Sequence, residues 1–580
     1  MQHSSTAAPA AKGRSPFSAS FYVANTMEIF ERLAWYGFFT LSSLYMTSPR
    51  SQGGMGFSDQ ERGFLQGMIP FLLYLLPVLT GALADRYGYR RMFLLSFAIM
   101  CPAYYLLGQA EGFWPFCACF LAVAIGAACF KPVVVGTIGR STDDSNRGLG
   151  FGVFYTMVNV GGFLGPLAAG YLRAISWDMV FVMSALWIAI NFVPALFLYK
   201  EPAPAHKDQR TLAQVLGETR EVLGNGRLAL LIFPLIAGLM AAAKGGISYL
   251  LFISLGAAWL ALNLLWNLAV PAQAEGPTPW YRQRMQVGNR RFVAYLLILA
   301  GFWMVYNQIF LTLPLYIRDF VDTADLVRFL QAWLPGSVDF LAGVNQSQLA
   351  QALPALAAKT TGAAVDWQTL RLEVVNYKVM PPLEQLQAGL QALQQGRVSA
   401  AALAAQWAQA YRQVNPEYII NLDFAAIVLL QVFISAKLER LRALPVLVLG
   451  TLVLAASMAL AAGGQWFALA GLAVVAAVLL FALGEMIASP KSQEYVAAIA
   501  PPHKTAMFMG YYFVSMALGN LFGGLLSGWA YGALARQGQG TAMWLLFAAL
   551  GAATAGALWL FERSLRQEEA QTQQAWRKAA

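Results

Sequence analysis

The chain has 580 residues, of which 58% are hydrophobic and only 12% are charged. Soluble domains are roughly 45–50% apolar and about 25% charged, so this composition excludes a soluble multidomain enzyme, a disordered scaffold and a nucleic-acid-binding protein. The formal net charge of +10 does not indicate nucleic-acid binding, because the basic residues fall in loops between apolar runs. A membrane span needs roughly 20 apolar residues, and the chain has enough for more than ten.

Apolar runs predict an all-α membrane protein with about 14 transmembrane helices. An N-terminal six-helix bundle, residues 20–199, contains spans at about 20–46, 60–84, 91–109, 112–139, 149–172 and 178–199. Residues 200–291 are expected to form cytoplasmic linkers that contain two additional spans, at about 228–244 and 247–270. A C-terminal six-helix bundle, residues 292–318 and 418–563, contains spans at about 292–318, 418–437, 443–462, 466–488, 506–531 and 541–562.

Residues 319–417 interrupt the second bundle, and no stretch of them is apolar enough to span a membrane. Leucines at helical spacing predict an amphipathic helical insertion; they are Leu383, Leu386, Leu390 and Leu393. The insertion is either a small lid or a module that binds substrate or a partner. Basic residues fall in alternate loops, while the opposite loops are short and nearly uncharged. By the positive-inside rule, we expect cytoplasmic tails at 1–19 and 564–580, an extracytoplasmic insertion, and a multi-pass protein of the plasma (inner) membrane.

Charged residues inside the predicted spans are few. Each costs about 2.5–3.5 kcal/mol at the centre of a span, so such residues usually face a partner or a water-filled cavity. Glu28, Glu31 and Arg32 share one face of the first span through their i,i+3 and i,i+4 spacing, and the fourth span supplies Lys131. Two acids and two bases can balance, and protonating one glutamate frees a cation. The cluster is therefore either a proton-coupling device or a static ion pair between helices.

Glu485 is a lone carboxylate in the twelfth span, suited to a cationic substrate group, a proton or a structural hydrogen bond. We interpret Asp423, near the end of the tenth span, as an interfacial cap and Lys244 as a snorkelling lysine. The four cysteines are expected to be buried apolar groups rather than disulfide partners or metal ligands. Since no histidine lies within a predicted span, a coupling proton would have to reside on a carboxylate.

The loop between the second and third spans combines glycines with acidic and basic residues. Glycines permit a tight turn and close helix packing, and the charged residues can form or break ion pairs between helices. We interpret this loop as a conformational latch, formed by Gly81, Asp85, Arg86, Gly88 and Arg90.

Several of these motifs resemble the major facilitator superfamily and, within it, the proton-dependent oligopeptide transporter (POT) family. The loop from Gly81 to Arg91 resembles the superfamily signature. Four further motifs resemble the peptide-transporter signatures: Glu28-x-x-Glu31-Arg32-x-x-x-Tyr36-Gly37, Phe130-Lys131-Pro132, Phe154-Tyr155-x-x-x-Asn159-x-Gly161, and Gly484-Glu485-x-x-x-Ser489-Pro490. The resemblance implies the major facilitator fold, two six-helix bundles with two extra helices between them.

The resemblance also implies roles for individual residues. Glu28, Glu31, Arg32 and Lys131 would couple protons, and Glu485 would face the amino group of a peptide. The other substrate-binding residues would be Tyr36, Tyr74, Asn159, Gln308 and Asn421. The chain departs from the family at Phe39, where an arginine is common, and at Asn307, where a glutamate is common. The two charges are absent together, so neither is stranded.

The sequence therefore predicts a proton-coupled symporter that imports di- and tripeptides by alternating access. Its partners would be a small-molecule substrate, protons and the lipid bilayer, with the proton gradient in place of any cofactor. We expect no enzyme activity, catalytic residue or metal site, since the spans contain no histidine-assisted nucleophile or ligand cluster. Two alternatives stay open: the same fold carrying an amino-acid derivative, an anion or a drug, and a non-transporting receptor or scaffold that uses the 319–417 insertion.

Overall fold

The computed structural model describes residues 17–143, 146–201, 224–270, 279–360, 365–463, 469–500 and 505–579. These ranges are helical apart from turns and two isolated β-bridges, Gly224–Val287 and Val379–Arg412. Most of the predicted N-terminal tail and parts of the predicted linkers, residues 1–16, 202–223 and 271–278, lie outside the described residues.

The first bundle consists of α1 Ala19–Thr47, α2 Asp59–Leu75, α3 Pro77–Tyr87, α4 Tyr89–Gln109, α5 Phe113–Arg140, α6 Arg147–Ile175 and α7 Trp177–Ile190. Proline lacks a backbone N–H and cannot continue a helical ladder. Consequently α2 and α3 form one span that is bent by 40° where Pro77 begins the second half. Helix α1 packs along α6, and α4 packs along α5.

The two additional helices are α8 Gly226–Ala243 and α9 Tyr249–Ala269. They pack on each other, and α8 also contacts α2. Lys244, at the end of α8, is predicted to snorkel, and it also makes an ion pair and a cation–π contact. Its Nζ lies 3.0 Å from Glu61 Oε1 of α2 and 3.9 Å from the centre of the Phe113 ring. The additional pair is therefore attached to the outside of the first bundle.

The second bundle begins with α10 Arg290–Tyr306, α11 Gln308–Leu311 and α12 Leu313–Phe320, which together form one interrupted span. The insertion follows as six short helices: α13 Ala324–Trp333, α14 Val338–Leu341, α15 Gln346–Ala358, α16 Trp367–Val375, α17 Leu383–Gln394 and α18 Ala400–Ala410. The bundle is completed by α19 Pro416–Ile420, α20 Leu422–Leu438, α21 Ala443–Gly463, α22 Ala470–Ile499, α23 Thr505–Ala533 and α24 Gly540–Ala579.

The insertion has a hydrophobic core of its own, which includes Leu349, Val374 and Trp407. Of the leucines singled out by their spacing, Leu386 and Leu390 are fully buried in this core, whereas Leu383 is exposed. The insertion is thus a small helical domain. We call the side of the bundles that carries it the insertion face, and the opposite side, where the turn at Gly88 joins α3 to α4, the turn face.

Twelve helices among the described residues are long and apolar enough to cross a membrane, or thirteen with the bent α2–α3 pair counted as one span. Helix α1 is 29 residues long but falls outside this count, since it carries charges at mid-length. With α1 included, the architecture is the predicted all-α arrangement of 14 spans. The predicted tail at 564–580 continues α24 as helix as far as Ala579.

Candidate functional site

The three charged residues of α1 meet in the interior of the first bundle. Arg32 Nε lies 3.1 Å from Glu28 Oε1, and Arg32 Nη2 forms an ion pair with Glu31 Oε2. Side-chain exposure is 4% or less for all three residues. The helical spacing that predicted a shared face thus produces direct contact, and the cluster carries one net negative charge when both glutamates are ionised.

Glycines of α6 bring this charged stretch close to the neighbouring helix. A Cβ atom on Gly161 would lie 2.9 Å from the backbone oxygen of Ile29 and would also meet the Arg32 side chain. Further along, a Cβ on Gly165 would lie 2.9 Å from the backbone nitrogen of Gly37. Small residues allow close helix approach in membranes, so α6 shields the charges of α1 from lipid.

Lys131 belongs to the same region without joining the ion pairs. Its Nζ lies 4.5 Å from the centre of the Tyr74 ring, and among the described residues no acidic oxygen lies within 4.0 Å of it. It is nevertheless an electrostatic neighbour of Glu28. The predicted group of two acids and two bases is therefore present, with Lys131 acting across a gap that Tyr74 helps to fill.

The second bundle contains a carboxylate pair that the sequence did not reveal. Glu485 Oε1 accepts a hydrogen bond from the Tyr306 hydroxyl at 3.0 Å, while its Oε2 has no hydrogen-bond partner among the residues that the structure describes. Asp423 is fully buried, neither of its carboxylate oxygens has a partner among the described residues, and it is an electrostatic neighbour of Glu485. The interpretation of Asp423 as an interfacial cap is therefore wrong.

Aromatic and hydroxyl groups connect the two bundles between these acids. The Arg32 guanidinium lies 5.7 Å from the centre of the Tyr36 ring. That ring meets Phe424 of the second bundle edge-on at 4.9 Å, and Tyr36 and Tyr155 are both electrostatic neighbours of Glu485. Polar groups thus extend from the charged cluster of α1 to Glu485.

The remaining residues predicted to line a cavity make specific contacts. Asn159 donates to the Tyr155 carbonyl at 2.8 Å, and Asn421 donates across the bundle boundary to the Phe163 carbonyl at 2.9 Å. Gln308 is fully buried: its amide donates to Met304 and Gly523 carbonyls, and its oxygen accepts from Thr312. Gln308 thus joins α11 to α23, and its role in lining a cavity stays a prediction.

The two positions that depart from the family are buried and neutral. Phe39 stacks on Trp35, with 5.1 Å between ring centres. Asn307 donates a hydrogen bond to the Trp303 carbonyl at 2.8 Å within its own helix. Neither side chain leaves a charge unpaired, as the paired loss of the two family charges predicts.

Helices α2 and α23 close the bundles against each other near the insertion face. A Cβ on Gly63 would lie 2.7 Å from Gly528 Cα, and a Cβ on Gly524 would lie 2.7 Å from the Gly63 oxygen. Beside them the buried Arg62 donates to the Leu311 carbonyl and to Ser527 Oγ, both at 3.0 Å. Backbones this close leave no passage between α2 and α23.

Two ion pairs complete this closure, and sequence reasoning missed both. Arg173 Nη1 of α6 lies 3.1 Å from Glu417 Oε2 of α19, with side-chain exposures of 9% and 0%. Asp59, which begins α2, pairs with Arg536 beyond the end of α23. The partners are hundreds of positions apart in the chain, so no local pattern connects them.

The predicted latch lies at the turn face and joins helices of the first bundle. Asp85 Oδ1 lies 2.7 Å from Arg140 Nη2 and accepts from the Tyr89 hydroxyl at 3.0 Å. Gly88 has a φ of +93°, which favours glycine at this turn. Arg90 donates to the Ala195 carbonyl at 3.2 Å.

Two other latch residues make weaker contacts. A Cβ on Gly81 would lie in ordinary contact with Pro132, at 3.5 Å, and the Arg86 guanidinium lies 5.6 Å from the centre of the neighbouring Tyr87 ring. The latch is thus held mainly through Asp85.

The four cysteines are free thiols, with no disulfide among them. Cys117 and Cys129 are buried, and Cys101 and Cys119 are half-buried.

Comparison with known proteins points to one superfamily. The peptide transporter YePEPT of Yersinia enterocolitica subsp. palearctica is 22% identical over 519 residues, 86% of either chain. The di-/tripeptide transporter of Lactococcus lactis subsp. lactis is 25% identical over 178 residues, which are 30% of this chain and 35% of that relative. A solved POT family transporter in complex with 5-aminolevulinic acid has the same fold, with a TM-score of 0.59 and 16% identity over 94% of this chain and 96% of that one.

The sequence model described as "Major Facilitator Superfamily" matches residues 26–345 and 392–579. The match leaves out part of the insertion, which is also the part of the chain that the sequence pattern sets apart. Together with the two bundles and the additional helix pair, it establishes that the chain belongs to the Major Facilitator Superfamily.

Proposed function

We propose that the protein is a proton-coupled symporter that imports di- and tripeptides by alternating access, with both termini in the cytoplasm and the insertion outside the plasma membrane. The observation that carries the proposal is the buried Glu28–Arg32–Glu31 cluster and its connection through Tyr36 to Glu485. Buried charges are expensive in a membrane protein unless they do work. The named activity of the related peptide transporters supports the same conclusion.

Proton coupling follows from the shared partner of the two glutamates. Arg32 pairs with both Glu28 and Glu31. Protonation of one glutamate removes one of the two ion pairs that Arg32 makes. The Arg32 guanidinium is then paired with a single acid, which balances it, and Lys131 is left without a compensating acid. An unbalanced buried charge is costly, so proton arrival favours a different arrangement of α1 against α6 and Lys131. The proton thereby biases which face of the transporter is open.

Substrate recognition is assigned to the second bundle. Glu485 is buried. One of its oxygens accepts a hydrogen bond from Tyr306, and the other has no hydrogen-bond partner in the described ranges. An ammonium group at that free oxygen would satisfy it with a charge-assisted hydrogen bond. The amino terminus of a short peptide supplies such a group, and Tyr36 and Tyr155 lie between it and the charged cluster of α1.

The test is uptake of radiolabelled dialanine into proteoliposomes under an inwardly directed proton gradient. We expect Glu31→Gln to lose gradient-driven accumulation but to retain counterflow exchange, which needs no net proton movement. Glu562→Gln is the matched control, because Glu562 pairs with Arg566 on the far part of α24. Full gradient-driven uptake by Glu31→Gln would show that the coupling assignment is wrong.

A second candidate is the same transporter with another small cargo, such as an amino-acid derivative. The observation in its favour is the neutral pair Phe39 and Asn307, where the family commonly carries opposite charges. A related fold holds 5-aminolevulinic acid. Competition of labelled dialanine uptake by a panel of di- and tripeptides and by amino-acid derivatives separates the two cargos.

A further inference from the structure

A polar cavity of about 300 Å³ lies at the insertion face, where the first bundle, the insertion and the start of α19 meet. Arg173 and Trp177 line it from the first bundle, Lys378 and Asn376 from the insertion, and Asn415 from the segment before α19. Ligand pockets in proteins begin at roughly 300 Å³. The cavity is therefore large enough for one amino acid or a short peptide.

The charge of this cavity is not balanced by the protein. Arg173 is neutralised by Glu417 at 3.1 Å. Asp339, on the rim, pairs with Arg412 at 3.0 Å and points into solvent with 95% side-chain exposure. Lys378 is half-buried, and its ammonium has neither an ion pair nor a hydrogen bond among the described residues. The lining thus carries one positive charge in excess.

The backbone at Lys378 is held in an unusual conformation. Its φ of +64° makes it the one non-glycine residue with positive φ in the described part of the chain. Such a conformation costs of order 1–3 kcal/mol and tends to occur at functional sites. The surrounding structure fixes it, since the Lys378 carbonyl accepts from the Gln413 backbone N–H at 3.0 Å.

Two amide oxygens of residues that line the same cavity also lack hydrogen-bond partners within the described part of the chain. Asn415 is 3% exposed, and its Oδ1 is buried without a hydrogen bond. Asn376 Oδ1 is likewise buried and unpartnered, while its Nδ2 donates to the Leu372 carbonyl at 2.9 Å. Buried acceptors without a donor are costly. The cavity therefore presents a cation for an anionic group, and two of the residues in its lining have unsatisfied amide oxygens.

We propose that this cavity is a second binding site, in which Lys378 binds the carboxylate of a small solute, such as the carboxyl end of a short peptide, with Asn376 and Asn415 in the lining. The site deepens the proposed function by supplying a place where cargo is held at the insertion face. Binding there is independent of Glu485 and of transport, so the two proposals fail separately.

Burial, and then the positive charge of Arg173, lower the pKa of Lys378 to about 8, against the opposing effect of Glu417. The ammonium is therefore charged below about pH 8 and loses its charge as the pH rises through that value. A carboxylate ligand needs the charged form, so its affinity must fall above pH 8. Among the described residues, the charged or titratable groups that act on Lys378 or share its cavity are Arg173 and Glu417, with Tyr377 in the lining and Asp339 on the rim.

The experiment uses N-acetylalanine, which has a carboxylate and an amide N–H but no ammonium for Glu485. Isothermal titration of the purified full chain should give one site at pH 7. We expect Lys378→Met to weaken it by about tenfold or more, because a charge-assisted hydrogen bond is lost. Lys359→Met is the matched control, because Lys359 lies in the same insertion and pairs with Glu373 in solvent.

Lys378→Arg guards against a misfolded variant and tests the charge directly. Arginine stays charged throughout the range, so this variant should bind at pH 9.5, where the wild-type protein has lost affinity. The amide analogue, N-acetylalaninamide, should not bind at either pH. Equal affinity in Lys378→Met, equal binding of the amide analogue, or wild-type affinity that is the same at pH 7 and 9.5 would each overturn the proposal.

Discussion

Replacing Glu417 by glutamine removes the acid of the ion pair that joins the two bundles at the insertion face. Arg173 Nη1 lies 3.2 Å from Glu417 Oε1 and 3.1 Å from Oε2. The side chains are 9% and 0% exposed, so water can replace the lost partner only in part while this face stays closed. Once the face opens, water can solvate the Arg173 guanidinium. The substitution therefore penalises the closed form selectively.

The magnitude follows from the burial of the pair. Removing one partner of a buried ion pair costs about 3–5 kcal/mol. The glutamine amide oxygen still accepts one hydrogen bond, which favours the lower end of that range. Since each 1.4 kcal/mol is a factor of ten in an equilibrium constant, the ratio of closed to open protein should fall by about 100-fold.

The assay measures the distance between two spin labels, one on each bundle at the insertion face, by pulsed electron paramagnetic resonance. Glu111 and Gln537 are exposed, and each lies at this face on a different bundle. Spin labels attached to non-canonical amino acids at these two positions avoid labelling the native cysteines. We expect Glu417→Gln to populate longer distances than the wild-type protein. Glu373→Gln, which breaks an exposed pair, should leave the distances unchanged. A wild-type distribution in a folded Glu417→Gln variant would refute the reasoning.

Three further outcomes are expected. Gly524→Val should also lengthen the label distances and lower uptake, because a Cβ atom there would lie 2.7 Å from the Gly63 backbone oxygen; normal uptake would contradict the closure described here. Asp423→Leu should raise the thermal melting temperature in detergent, since it removes a buried carboxylate with two unpartnered oxygens, and a lower melting temperature would be inconsistent with that view. Asp85→Asn should change the free energy of unfolding by only about 1 kcal/mol or less, because its pair with Arg140 is partly exposed; a larger loss in chemical denaturation would mean that the latch is also a major structural contact.

Much of the fold was accessible from hydropathy, because lipid demands long apolar helices. The same reasoning located Glu28, Glu31 and Arg32 on one face, since that step depends only on helical geometry within a single element. These successes share one property, namely that the interacting groups lie in one helix or the inference concerns composition alone.

The wrong or missing predictions concern how residues on different helices are placed relative to one another. Asp423 looked interfacial because it lies near the end of an apolar run. In the structure Asn421 separates the short helix Pro416–Ile420 from α20, and Asp423 turns into the bundle beside Glu485. The hydrogen bond from Gln308 to the Gly523 carbonyl could not be foreseen without knowing that α23 packs beside α11, and the predicted role of Gln308 in the substrate cavity stays a prediction. The Arg173–Glu417 contact joins residues 244 positions apart, which no local pattern encodes.

The charged stretch of α1 also has a consequence for biosynthesis. Each charged residue opposes transfer of an isolated helix into the bilayer by about 2.5–3.5 kcal/mol, so three together amount to roughly 7–10 kcal/mol. Helix α1 is therefore a poor independent substrate for the insertion machinery. Helix α1 is stable in the bilayer only when it packs against a later helix, α6, whose Gly161 and Gly165 allow close contact with the charged part of α1. Since α1 precedes α6 in the chain, α1 should settle in the bilayer only after α6 has emerged from the ribosome.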